Sequence, residues 1–163
     1  MGESLKTDEM SSGPNGGINR RRHEEQAHPS DAELKATFPE PGATHFSLTG
    51  AQVGAGDGAF VVAYLDEMAV GCGAVRRLDE ATAELKRMYV DPSVRGRGVG
   101  RAPVEALERE ARLLSMTRVV LETGTRLAPA IKLYQAMGYT RIPLFGEYVS
   151  SPDTSLCFGK SLV

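Results

Sequence analysis

The stretch ELKRMYVDPSVRGRGVGRA, residues 84–102, joins two different periodicities through a run of glycines and arginines. Upstream, Thr82 to Val90 reads as a strand, ended at Asp91-Pro92 because proline cannot donate to a ladder. Downstream, Val99, Ala102, Val104, Ala106, Leu107, Ala111 and Leu114 recur at helical spacing between Gly98 and Ser115, with Glu105, Glu108, Arg109, Glu110 and Arg112 on the other side. Pro103 falls in the first turn of that helix, where a missing N–H is tolerated. Gly96, Gly98 and Gly100 allow close backbone approach just where the first free N–H groups of the helix point outward. The helix dipole contributes roughly 0.3–1 kcal/mol for each nearby negative charge, and Arg95, Arg97 and Arg101 add charge-assisted donors. A pyrophosphate suits such a loop, although a solvent-exposed turn can have the same composition. Spacing excludes two other phosphate loops: no Gly-Lys-Ser/Thr closes this one, and GxGxG is not GxGxxG.

Outward from this stretch the chain alternates strands and helices. Ala59 to Leu65 and Ala69 to Leu78, separated by Asp66-Glu67, form a hairpin, so that three antiparallel strands precede the glycine loop. Thr117 to Thr123 is a short strand, and Leu127 to Met137 is a second helix with Gly138 as its C-cap. Tyr139 to Pro143 and Ser155 to Leu162 are the final strands. The fold class is therefore α/β with a β-meander at its start, which disfavours a dinucleotide-binding βαβ unit. Residues 1–30 hold almost no large apolar side chains and read as a polar, disordered tail, leaving 31–163 as a single domain. A short helix is expected from Asp31 to Phe38, stopped by Pro39, and His45 to Leu48 could form a strand.

Composition narrows the function classes. A chain of 163 residues with net charge −2 carries no basic surface for nucleic acid, and the Arg20-Arg21-Arg22 run is followed at once by Glu24 and Glu25. Its apolar runs are far shorter than the ~20 residues of a membrane helix, and its start lacks an apolar signal core. A cytoplasmic protein without nucleic-acid or membrane partners is the expectation. Cys72 and Cys157 show no metal or redox spacing and read as small buried hydrophobes, so no metal is expected.

Residues 84–102 resemble the acyl-CoA-binding core of the GNAT superfamily of N-acetyltransferases, whose loop pattern Q/R-x-x-G-x-G/A is met by Arg95, Gly98 and Gly100. A second family motif follows at Ala130-Ile131-x-Leu133-Tyr134-x-x-x-Gly138-Tyr139, and the resemblance covers about residues 59–162. It implies a mixed, mostly antiparallel twisted sheet flanked by helices; members of the family usually open with a strand and two helices, and this chain departs from them with a reduced N-terminal strand and helix region. It also implies an enzyme that passes the acetyl group of acetyl-CoA directly to a primary amine of a small molecule. By that resemblance Met88, Tyr89 and Val90 line the pantetheine, and the Met88 N–H polarises the thioester. Arg95, Gly96, Arg97, Gly98, Val99, Gly100 and Arg101 hold the pyrophosphate, and Tyr134 protonates the leaving thiolate. Glu84 matches the position at which some members carry a general base, and a carboxylate there suits the removal of an ammonium proton. Glu84 could equally be a strand carboxylate paired with Arg77 or Lys86. Glu122 and Arg126 bracket Thr123-Gly124-Thr125 and are candidates for the acceptor pocket. A non-catalytic acyl-CoA-binding module, acetylation of a protein or peptide, and a homodimer all stay open.

Overall fold

The structure, a computed structural model, describes residues 10–11, 16–20, 36–37, 39, 48–66 and 68–163. Eight strands form one sheet: β1 (Met10–Ser11), β2 (Gly16–Arg20), β3 (Gly58–Leu65), β4 (Met68–Arg77), β5 (Thr82–Val90), β6 (Arg118–Gly124), β7 (Thr140–Ile142) and β8 (Ser155–Ser161). Their order across the sheet is β1-β2-β3-β4-β5-β6-β8-β7. Every neighbouring pair is antiparallel except β5 and β6, which are parallel and joined through helix α1 (Arg101–Leu113). Helix α2 (Ala128–Ala136) connects β6 to β7. The mixed, mostly antiparallel sheet with its two helices agrees with the fold class expected from the sequence. No helix among the described residues is long and apolar enough to cross a membrane.

The N-terminal stretch departs from expectation in part. Residues 16–20 are not a loose tail: they pair antiparallel with β3, from Gly16 opposite Leu65 to Arg20 opposite Val61. The ladder needs backbone donors and acceptors, not apolar side chains, so a Gly-rich polar segment can join a sheet that burial arguments would deny it. Of the expected helix at 31–38 only Ala36 and Thr37 are described, and both are helical. The remainder of that helix, and His45 to Ser47, lie outside the described residues.

The strand alternation gives the sheet two unlike faces. Ala59, Val61, Val75, Ala83, Leu85, Val119, Leu121 and Phe158 point to one side and pack with Val104, Leu107 and Ala111 of α1. Leu107 and Leu121 are almost completely buried there, each worth roughly 1.5–3 kcal/mol relative to exposure. Arg77, whose cross-strand partner is Ala83, reaches the end of α1 and donates to the Leu114 carbonyl at 3.1 Å, satisfying an orphan acceptor of the last turn. The opposite face starts with the apolar residues Phe60, Cys72 and Ala74 and becomes polar toward the middle of the sheet.

Candidate functional site

Two irregularities in β5 open the sheet. Its parallel pairing with β6 runs only from Thr82 opposite Arg118 to Leu85 opposite Leu121. β5 continues to Val90 and β6 to Gly124 without further pairing to each other, so residues 86–90 and 122–124 border a gap. On the other edge of β5 the register passes from Ala74 opposite Lys86 to Cys72 opposite Tyr89, leaving Arg87 and Met88 together across from Gly73. This is a β-bulge, and Arg87 holds it at φ 58, a left-handed conformation that costs a side-chain-bearing residue roughly 1–2 kcal/mol. Gly73 makes the bulge possible: a Cβ there would lie 2.4 Å from Met88 Sδ and 2.8 Å from Leu107 Cδ1. The bulge thus turns Met88 onto the helix side and leaves the backbone of residues 86–90 along the gap.

The glycine loop stands at the end of this gap. Asp91 accepts from the Ser93 N–H at 2.8 Å, steadying a 3-10 turn over Pro92–Val94 that leads the chain away from β5. The Arg95 guanidinium donates back to the Val90 carbonyl at 2.9 Å and lies over the Tyr89 ring, so that it braces the loop from behind. Gly96 and Gly98 have φ of 75 and 78, and a Cβ at either would meet nothing within 4 Å. Among the described residues, the N–H groups of residues 96–100 donate to no backbone carbonyl outside a regular element. The loop therefore presents unpaired donors at the N-terminus of α1 with open space above them, an arrangement that suits a phosphate. Gly100 differs, since its Cβ would lie 3.1 Å from Leu133 Cδ2 and so would press on α2.

Tyr134, on α2, is 4% exposed and packs edge-on to Tyr139 with ring centroids 5.8 Å apart. Burial, with a contribution from the charge of Glu122, holds its hydroxyl protonated well above the usual phenol range. Its hydroxyl has no hydrogen-bond partner among the described residues. Tyr139, by contrast, is structural: its hydroxyl donates to Glu108 of α1 at 2.9 Å, and Lys160 of β8 donates to the same carboxylate at 2.8 Å.

The polar face beneath the gap carries residues that sequence reading left unconnected. Glu84 is wholly buried, and its two oxygens are taken by different partners. Arg76, directly across in the β4–β5 register, donates to Oε2 through Nε at 2.8 Å and approaches it through Nη2 at 2.7 Å. Tyr148, from the 3-10 turn Gly146–Ser150, donates to Oε1 at 2.5 Å. The strand-carboxylate alternative thus has Arg76 as the partner; Arg77 and Lys86 are not, because Arg77 points to the helix face and Lys86 turns elsewhere. Lys86, 5% exposed, donates to Glu147 at 2.6 Å and to the Tyr148 hydroxyl at 3.0 Å. Period-2 alternation of Glu84 and Lys86 with Ala83 and Leu85 was the available signal for a polar face; Tyr148 and Glu147 sit in a loop with no periodicity to reveal them.

Glu122 and Arg126 part company. Glu122 faces the same side as Glu84 and borders the gap, while Arg126 is exposed beyond β6 and donates to the Thr37 carbonyl at 3.0 Å. Burial pushes the Glu122 carboxyl up to about 7, with the nearby charges of Glu84 and Glu147 adding to the rise; the Ser155 hydroxyl and the Lys86 ammonium oppose it.

Comparison with known proteins agrees with this geometry. The model of the Acetyltransferase (GNAT) family matches residues 22–139. An acyl-CoA N-acyltransferase assignment attaches to a Klebsiella pneumoniae crystal structure that is 31% identical, superposes with a TM-score of 0.68, and covers 90% of this chain and 97% of its own. The IAA acetyltransferase of Azospirillum brasilense is 39% identical over 94 residues, 57% of this chain and 61% of that protein. The N-acetylaspartate synthetase of Danio rerio is 38% identical over 90 residues, 55% of this chain and 32% of that protein. The chain thus spans less than two thirds of the length of these two curated relatives. The chain belongs to the GNAT acetyltransferase family.

Proposed function

We propose that the protein is an N-acetyltransferase that moves the acetyl group of acetyl-CoA onto the primary amine of a small molecule. The observation that carries this reading is the coincidence of an open glycine loop, a widened β5–β6 gap leading away from it, and a buried Tyr134 hydroxyl, the loop N–H groups and the hydroxyl being without partners among the described residues. The donor loop suits the pyrophosphate, the gap is lined by strand backbone able to bond the amides of pantetheine, and the phenol can serve the sulfur. Two relatives, an acetyltransferase and an N-acetylaspartate synthetase by name, support the same chemistry.

With acetyl-CoA held in that gap, the backbone donors of residues 96–100 bind its phosphates, and the edge of residues 88–90 orients the thioester. An ammonium group has no lone pair, so one proton must leave before nitrogen attacks the carbonyl carbon. The C–N bond forms, the tetrahedral intermediate loses a second proton from nitrogen, and the C–S bond breaks. Tyr134 gives its proton to the departing thiolate and recovers one from those removed from nitrogen; the other passes to solvent. Glu84 does not fit the first step, because it has no exposed surface and both its oxygens are engaged. Its place is structural: it fixes Arg76 and Tyr148 under the gap.

The test is release of free thiol from acetyl-CoA on a panel of primary amines, run beside a thermal-shift titration with acetyl-CoA. Turnover with at least one amine and a rise in melting temperature are expected. A shift without turnover on any amine would instead indicate a binding module.

A further inference from the structure

We propose that Glu122 takes the proton from the incoming amine, while Tyr134 gives its proton to the leaving thiolate. The inference rests on the acetyl-transfer reading above. Pairing with β5 ends at Leu121, so Glu122 is the first β6 residue along the gap. Its side chain is partly exposed, unlike that of Glu84, and it forms no ion pair among the described residues. The carboxylate is thus reachable from the gap. Ser155, 1% exposed and opposite Gly124 on the same face, stands beside it, and its hydroxyl favours the carboxylate form.

The charged and titratable groups around Glu122 fit this role. Lys86 approaches from β5 and favours the carboxylate; Glu84 on β5 and Glu147 on the 3-10 turn disfavour it. Cys157 of β8, Tyr148 and Tyr134 all feel its charge and are held protonated. Burial outweighs Lys86 and Ser155, which leaves the carboxyl titrating at about 7, where a base both accepts a proton readily and is largely available. In the step itself the Glu122 carboxylate gains the ammonium proton and becomes a carboxylic acid, nitrogen gains its lone pair, and solvent later restores the carboxylate. Glu84 and Arg76 then act as positioning residues, holding the polar face on which Lys86 and Glu147 set the field at Glu122.

The experiment is the pH profile of thiol release between pH 5.5 and 9.5, using the full chain, saturating acetyl-CoA, and spermidine, tyramine and L-aspartate as amines. For the parent, the rate is expected to rise about tenfold per pH step and to level off above pH ~7. Glu122→Gln should lose that bend, with a defect of ~10²-fold near pH 7 that shrinks by pH 9.5 as free amine accumulates. A second readout needs no turnover: in protein labelled with carboxyl-13C glutamate, one resonance should titrate near neutrality in the parent and be missing in Glu122→Gln. Retention of the bend in Glu122→Gln, or a defect equal at every pH, would overturn the role of Glu122 while leaving acetyl transfer intact. Absence of turnover by the parent on every amine would overturn both.

Discussion

Replacing Glu84 by alanine should cost stability first, because the side chain is wholly buried and anchors two partners. The substitution removes both contacts of the Arg76 guanidinium at 2.7–2.8 Å and the acceptor of the Tyr148 hydroxyl. The Arg76 side chain is itself only 14% exposed and keeps Glu147, at 3.9 Å, only as a weaker ion-pair partner, so solvent can do little for the charge that loses its hydrogen bonds. Breaking such a pair from one side costs about 3–5 kcal/mol. At roughly 2–4 °C per kcal/mol for a domain of this size, melting should fall by about 6–20 °C. Removing both charges together is a different perturbation, since Arg76→Met with Glu84→Leu leaves no unpaired ion and fills similar volume. The double variant should therefore lose clearly less than the sum of the single variants, with a coupling of at least ~1 kcal/mol. Urea unfolding at pH 7, with a common slope across the variants, measures the cycle. A loss below ~1 kcal/mol for Glu84→Ala, or additive single variants, would refute the structural role assigned to this carboxylate.

Tyr134→Phe should fold like the parent, because its hydroxyl has no partner among the described residues, while its turnover number falls by roughly 10²-fold or somewhat less and the Michaelis constant for acetyl-CoA stays close to the parent; full activity would remove the proton-donor role. Gly98→Val places a side chain in the open space above the loop at a φ of 78, and should abolish the thermal shift given by acetyl-CoA. Gly100→Val should instead lower the melting temperature of the ligand-free protein, because its side chain meets Leu133 of α2; similar behaviour of the two variants would show that the glycines are not so divided. Burial pushes the Cys72 thiol up to about 12 and the Cys157 thiol to about 11, so neither should react with iodoacetamide at pH 8 in the native protein, and both should react in urea, as mass spectrometry would show.

The order of elements from β3 to β8 was legible in the sequence because each is amphipathic or bounded by its own punctuation. Asp91-Pro92 ends β5, glycines open α1, and Gly138, at φ 87, closes α2. The loop motif was legible for the same reason, since its glycines and arginines are contiguous and act through local backbone. Three features required the tertiary structure. Residues 16–20 join the sheet through backbone bonds to β3, which no side-chain pattern announces. The bulge at Arg87 arises because Gly73 lets Met88 and Leu107 close over it, a coincidence of three distant segments. The division of labour among the acidic residues is the clearest case. The sequence offers Glu84 as a base or a paired strand carboxylate and Glu122 as an acceptor-pocket residue, but register decides that Arg76 and Tyr148 seal the first. The second lies one residue past the last β5–β6 pair. Desolvation and neighbouring charge act through space, so the chemistry of each carboxylate is set by what the fold brings beside it.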